Sequence, residues 1–337
     1  GKIASTTPPA FAGRNDSWIV RLDSGERVFV KQINLEAAGT HTVQRSVQFA
    51  RFAEAYPSNA PASPRLIGHD SPRGVLVFEH CSGTSLALLL VEERVPANFS
   101  EQVGALLAAL HNGPIDGLDA TSHPSPPVQM LTAGVPMSRY VNFTIAETSF
   151  WAQLQADTEL VYAVGSLRES EQRHQTAPIH GDLRLDQFHL HDEQARLLDW
   201  EEFGVGDPAR DLGTFAGEWI YRAVLDTVTS RSGATAPPAT FDEEAATQRI
   251  TERIATMTPQ VRSLWNSYRR AADPADPELP IRATAHLGWH LIDRTIARAA
   301  MVARLPGIER AAAGIGRKIL LNPRQFATAL GFTEEHP

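Results

Sequence analysis

Among the side chains of the segment from Ile179 to Leu212, three that carry oxygen could act together in catalysis. Asp182 and Gln187 are five residues apart, and Asp199 ends a short apolar run. One carboxylate can orient a hydroxyl and take its proton, while an amide oxygen and a second carboxylate are ligands that Mg²⁺ prefers. This set predicts Asp182 as a general base and Gln187 and Asp199 as metal ligands in a phosphoryl-transfer site.

Two cations and an amide could complete such a site. Lys31 lies within an apolar strand, where an ammonium requires an anion such as a nucleotide phosphate. Arg184 follows Asp182 by two residues and could hold the transferring γ-phosphate. The segment Gly13–Asp16 precedes a hairpin, where a phosphate-covering loop would place Asn15. The alternatives are an edge-strand lysine in water, a surface arginine and an ordinary turn.

The elements that would position these residues fall into two groups. β-rich runs over Ser17–Leu22 and Arg27–Ile33, joined by a turn with Gly25, predict a hairpin. A helix is expected over Thr42–Ala55 and a strand over Gly74–Glu79. The rest of the chain is mostly helical in pattern, including a helix with Ser100 as its N-cap.

We therefore predict an α+β class: a bilobal, protein-kinase-like fold with a small N-terminal β-rich lobe and a larger, mostly helical C-terminal lobe. Residues 1–80 would form the nucleotide-binding lobe. Residues 81–337 would form the catalytic and substrate-binding lobe, after a joint at Cys81–Gly83.

Composition restricts the partners and the cellular compartment that we expect for the protein. The chain has 337 residues and a formal net charge of −8, which argues against a nucleic-acid or anionic-membrane partner. Its single cysteine, Cys81, fits a reducing compartment. There is no apolar run of membrane-spanning length and no signal-peptide pattern. These features predict a cytoplasmic protein.

Three motifs resemble the aminoglycoside phosphotransferase/choline kinase-like branch of the kinase superfamily. They are His180–Gln187 (HGDLRLDQ), Leu197–Trp200 (LLDW) and Gly206–Leu212 (GDPARDL). The finer sequence, including DWEEF at Asp199–Phe203 and the continuation to Val224, resembles the kinase subunits of class V lanthipeptide synthetases.

This resemblance implies an ATP- and Mg²⁺-dependent kinase of Ser and Thr hydroxyls in a precursor peptide. It also implies a lyase subunit that eliminates the phosphate and a cyclase subunit that adds cysteine thiols, as partners. Adenine would bind the backbone of Glu79, His80 and Cys81. Lys31 would bind the nucleotide phosphates, with the roles of the acidic and amide residues as above.

One departure keeps other functions open. Kinases usually pair the strand lysine with a helix glutamate, but this register holds Gln44, Ser46 or Gln48. A small-molecule phosphotransferase acting on an aminoglycoside or sugar, and a pseudokinase scaffold that binds the peptide, are the alternatives. The segment Arg282–Arg310 is rich in Arg and His and has only two acids, which disfavours a polycationic acceptor.

Overall fold

The structure is a computed structural model that describes residues 3–7, 15–35, 41–119, 125–227, 243–272 and 276–333. Contacts divide the chain into two compact units. Residues 1–121 and 177–205 form the first unit, and residues 122–176 and 206–337 form the second. The predicted boundary at residue 80 stays a prediction, and Gly13 and Arg14 of the predicted phosphate loop lie outside the described residues.

The first unit opens with a five-stranded antiparallel sheet in the order β1-β2-β3-β5-β4. Its strands are β1 (Ile3–Thr7), β2 (Asp16–Leu22), β3 (Arg27–Gln32), β4 (Leu66–Asp70) and β5 (Val75–Glu79). The predicted β2–β3 hairpin is confirmed. Gly25 has φ +88°, a conformation that costs glycine little, and its N–H donates to the carbonyl of Leu22 at 2.9 Å.

Helix α1 (His41–Ala55) packs on this sheet through Val43, which is buried with Ile33 and Leu76. Helices α2 (Leu86–Val91) and α3 (Phe99–His111) follow. The predicted cap of α3 is wrong. The N-cap is Asn98, two residues earlier, because Phe99 and Ser100 are fully buried inside the first turn of the helix.

Short strands complete the first unit. β7 (Ala177–Ile179) pairs with β10 (Gly204–Gly206), while β6 (Thr84–Ser85), β8 (Phe188–His191) and β9 (Gln194–Leu197) form a three-stranded sheet. The β8–β9 turn consists of Asp192 and Glu193, with φ +49° and +60°. Positive φ at both central residues is typical of the tight hairpin turn that matches strand twist.

The described part of the second unit is helical. Its helices are α4 (Val128–Thr132), α5 (Met137–Tyr140), α6 (Ile145–Ala156), α7 (Thr158–Arg173), α8 (Pro208–Asp226), α9 (Glu243–Ala271), α10 (Leu279–Ala299), α11 (Gly307–Leu321) and α12 (Pro323–Ala329). The core joins α6, α7, α10 and α11 through residues such as Trp151, Val164 and Trp289.

Buried charges anchor the start of α8. Asp207 is its N-cap, accepts a hydrogen bond from the N–H of Ala209 at 3.0 Å, and forms a two-pronged ion pair with Arg282. Within the described ranges, no helix is long and apolar enough to cross a membrane. The predicted α+β class, with an N-terminal antiparallel sheet and a larger helical C-terminal part, is confirmed.

Candidate active site

The register of the β8–β9 hairpin brings Gln187 and Asp199 to the same end of the sheet. Phe188 pairs with Leu197, so Gln187 and Leu198 lie opposite each other just beyond the strands. The N–H of Leu198 donates to the carbonyl of Gln187 at 3.0 Å. A tight hairpin therefore joins two residues that the sequence separates, and Asp199 comes next along the chain.

The segment that carries Asp182 is folded back on the same hairpin. His180 is buried and donates a hydrogen bond from Nε2 to the carbonyl of Leu198 at 3.0 Å. Gly181 follows with φ +87° and turns the chain so that Asp182 is half-exposed. The base predicted from sequence thus lies next to a rigid, buried anchor and at the surface that an acceptor could reach.

Arg184 lies between two carboxylates and the predicted metal-binding amide. Its Nη1 contacts Asp182 Oδ2 at 2.6 Å and its Nε contacts Asp186 Oδ1 at 3.1 Å. Its backbone N–H donates to Gln187 Oε1 at 2.8 Å. The guanidinium is therefore held beside the predicted base, where a cation can meet an anionic phosphate.

Lys31 reaches the same group of residues from the central strand β3. Its Nζ contacts Asp199 Oδ1 at 2.7 Å and also forms an ion pair with Glu201. The Nδ2 of Asn15 donates to Glu201 Oε1 at 3.2 Å, and Asn15 Oδ1 accepts from the N–H of Asn34 at 3.3 Å. The structure thus brings Lys31, Asn15 and Asp199 together, with Glu201 between them.

The charges in this group shift one another's pKa values. Burial alone would lower the pKa of Lys31, but Asp199 and Glu201 outweigh it and raise that pKa. Burial acts to raise the pKa of Asp199, yet the Lys31 ammonium holds it below its ordinary value. Burial and repulsion from Asp199 raise the pKa of Glu201 to about 7 despite Lys31. Lys31 and Asp199 are consequently both charged at neutral pH.

The donors present fit a divalent metal such as Mg²⁺. Asp199 offers a carboxylate, and the Oε1 of Gln187 keeps a second lone pair beyond its bond to Arg184. Asp182 and Asp186 share Arg184, while Asp199 shares Lys31 with Glu201, an excess of acids that favours an added cation. No group of three or more His, Cys, Asp or Glu ligands occurs in the described part of the chain, and a Mg²⁺ completed by substrate phosphates and waters does not require one.

The predicted adenine-binding residues lie at the end of β5. Glu79 is exposed, and Arg65 donates to its Oε1 from Nε at 2.9 Å, while its own N–H donates to the carbonyl of Arg65. Cys81 is half-buried, and burial raises the pKa of its thiol. Their role toward a nucleotide stays a prediction.

Sequence reasoning missed the acids that follow Asp199. Glu201 binds Lys31, and its neighbour Glu202 forms an ion pair with Arg45 of helix α1. The signal for them is the DWEEF motif itself, in which two acids follow Asp199 within three residues. Spacing along the chain could not assign these acids, because their partners lie far away in sequence.

Comparisons with known proteins identify a family and a fold. The model of the phosphotransferase enzyme family matches residues 7–252. The amicoumacin kinase hAmiN, solved in complex with AMP-PNP and Ca²⁺, is similar with a TM-score of 0.59 at 12% identity, covering 94% of this chain and 88% of that one. A putative fructosamine-3-kinase from Thermobifida fusca YX-ER1 has a TM-score of 0.50 at 15% identity, with 95% and 94% covered.

A choline/ethanolamine kinase family protein from Mesorhizobium loti also has a TM-score of 0.50 at 15% identity, covering 98% of this chain and 93% of that one. No curated protein matches the sequence. At these identities the likeness extends to the fold, which is the protein-kinase-like fold of these phosphotransferases.

Proposed function

Because this chain belongs to the phosphotransferase enzyme family, we propose that it uses Mg²⁺ and ATP to phosphorylate Ser and Thr hydroxyls of a lanthipeptide precursor peptide. Family membership makes it a kinase that transfers phosphate to an alcohol group, and it implies a nucleotide and a divalent metal. The proposal adds three things: the acceptor is a peptide, the nucleotide is ATP and the metal is Mg²⁺. It also adds a lyase and a cyclase as partner subunits.

The residues of the site divide the work of the reaction. Asp182 accepts the proton of the acceptor hydroxyl as that oxygen attacks phosphorus. Lys31 and Arg184 hold the phosphate oxygens and stabilise the charge that moves onto them. Gln187 and Asp199 would hold Mg²⁺, which neutralises phosphate oxygens when it is bound. Little else is required of the protein, because phosphoryl transfer depends mainly on positioning and electrostatics.

The two acids of Arg282–Arg310 both make hydrogen bonds within the protein, and this observation favours a peptide acceptor over a polycation. Asp293 accepts a hydrogen bond from Ser125 Oγ at 3.2 Å. Glu309 is 5% exposed and accepts a hydrogen bond from the hydroxyl of Tyr221. Both acids of this segment are therefore engaged within the protein, and a polycationic acceptor would find no cluster of carboxylates on these helices.

The test is incubation with Mg²⁺, ATP and the Ser/Thr-rich peptide encoded beside the gene, with the partner subunits present. Mass spectrometry should show one added phosphate per modified residue, and the signal should disappear in Asp182→Asn. A panel of small molecules is run in parallel, containing an aminoglycoside, a sugar, amicoumacin and a fructosamine.

Each alternative predicts a different result. Rapid turnover of a small molecule with no peptide phosphorylation would overturn the peptide proposal. Tight peptide binding without any phosphate transfer would instead identify a pseudokinase scaffold. The presence of Asp182, Gln187 and Asp199 in one site supports turnover rather than scaffolding.

A further inference from the structure

Helix α1 supplies a cation, not an acid, to the active-site segment. The only acid of α1 is Glu54, which is exposed near the end of the helix. The charged α1 side chain that pairs with the segment after β9 is Arg45, which is 8% exposed and donates to Glu202. The charge pair that links this helix to the active-site segment therefore has the opposite sense to the usual lysine–glutamate pair of kinases.

The acids that bind Lys31 come from the segment after β9 instead. Asp199 and Glu201 both contact Nζ, and their side chains are 30% and 20% exposed, against 16% for Lys31. A lysine this buried requires a carboxylate partner to remain charged and fixed in position. Asp199 and Glu201 both serve as such partners, but only Asp199 has a second proposed role.

Asp199 has a second task, because it is the carboxylate proposed to bind the metal. A carboxylate oxygen shared with a divalent cation is a weaker partner for an ammonium, since its negative charge is already balanced. Glu201 has no such task among the contacts of the described residues. Asn15 donates to both of its oxygens, at 3.2 and 3.4 Å, and so orients it toward Lys31.

We propose that Glu201 is the positioning residue for Lys31, taking over from within the Asp199–Phe203 motif the part that a helix glutamate plays in other kinases. Glu201 acts through Lys31 and does not touch the reacting atoms. Asn15 fixes its rotamer, and Glu202 ties the same segment to α1 through Arg45. The inference depends on nucleotide use by this site and is independent of the acceptor.

The test is a double-mutant cycle on nucleotide affinity, measured by calorimetry with Mg²⁺ and AMP-PNP and without any acceptor. Glu201→Gln should raise the Kd roughly tenfold, because Lys31 loses its dedicated partner. In a Lys31→Met background the same substitution should change the Kd less than about twofold. Glu54→Gln is the control, since it removes the only acid of α1 but leaves Lys31 paired, and its Kd should stay within about twofold of the wild type.

Thermal unfolding without nucleotide accompanies each variant, to establish that the folded state is retained. Equal Kd values for Glu201→Gln and the wild type would overturn the proposal. Additive effects of Glu201→Gln and Lys31→Met would overturn it as well, because Glu201 would then act independently of Lys31. Failure of the peptide proposal alone would leave these affinities unchanged.

Discussion

The backbone of Asp199 has an uncommon conformation that aims its carboxylate. Its φ is +69°, a left-handed value that non-glycine residues rarely adopt and that costs on the order of 1 to 3 kcal/mol. The adjacent Trp200 stacks on Phe49 at 3.5 Å and donates from Nε1 to Ser63 Oγ at 2.9 Å. This packing holds the strained residue in place, with Oδ1 directed at Lys31.

Asp182 and Asp186 contact the same arginine and therefore form a matched pair for testing the base. Asp182→Asn should lower kcat by at least about 100-fold, because the amide cannot accept the hydroxyl proton. Asp186→Asn also removes a carboxylate from Arg184, yet Asp186 is 59% exposed and has no proposed part in the chemistry. Its kcat should fall less than about fivefold. Steady-state kinetics on whichever acceptor is turned over measures both, and equal losses would show that Asp182 acts only on Arg184.

The sequence predicted the residues whose roles depend on local spacing and missed those whose roles depend on contacts across the chain. Asp182, Gln187 and Asp199 could be grouped into one candidate site because a loop and one hairpin join them, and their roles stay predictions. The partner of Lys31 could not be found this way. Helix α1 supplies no acid to Lys31, and Glu201 reaches Lys31 only because folding brings β3 and the segment after β9 together.

At the scale of elements, helices α10 and α11 approach each other through glycines. A Cβ added at Gly316 would lie 2.5 Å from the carbonyl oxygen of Gly288 and 2.9 Å from Leu291 Cβ. One added at Gly288 would lie 2.8 Å from the Gly316 carbonyl oxygen. The two backbones therefore touch, and any side chain at either position must push the helices apart.

Gly314, in the same helix as Gly316, offers a control because a Cβ there meets nothing within 4 Å. Gly316→Ala should lower the free energy of unfolding by about 2 kcal/mol through overpacking. Gly314→Ala should raise it by about 0.5 to 1 kcal/mol, since alanine loses less backbone entropy in a helix. Urea unfolding of both variants measures the difference. Stabilisation by Gly316→Ala would contradict the close packing of α10 on α11.

Element boundaries show why local patterns mislead. Ser100 is a favourable N-cap residue, but the start of α3 is set by burial of Phe99, which packs edge-on against Phe188 at 5.3 Å. Tertiary packing outweighs a cap that contributes about 1 kcal/mol. The β2–β3 hairpin was predicted correctly, because the turn residues and strand propensities there agree with the packing.

At the scale of the whole molecule, a few charged pairs are buried, and a histidine beside them makes stability sensitive to pH. The net charge of −8 is spread over 39 acids and 31 lysines and arginines. In the second unit, Arg210 binds Glu171, and Arg282 binds Asp207, each pair at most 9% exposed. His286 lies among these pairs, 3% exposed.

Burial lowers the pKa of His286 to about 4, with Arg210 and Arg282 opposing protonation and Glu171 and Asp207 favouring it. In the unfolded chain its pKa is near 6.5. Between pH 6.5 and 4, the imidazole is therefore protonated in the unfolded state but neutral in the folded state. The contribution of neutral His286 to the free energy of unfolding is fully present above pH 6.5. It is lost as the pH falls toward 4, by about 3 kcal/mol in all.

A substitution of His286 should remove this loss of stability, which distinguishes it from the general effect of acid on the protein. Between pH 7.5 and 4.5 the wild-type free energy of unfolding should fall by roughly 2 to 3 kcal/mol more than that of His286→Gln, whose amide does not titrate. His69→Gln, at an exposed histidine, should follow the wild-type curve. Urea unfolding across this range measures all three. Parallel curves for the wild type and His286→Gln would mean that the imidazole takes up its proton at the same pH in the folded and the unfolded state, with Glu171 and Asp207 offsetting the effect of burial.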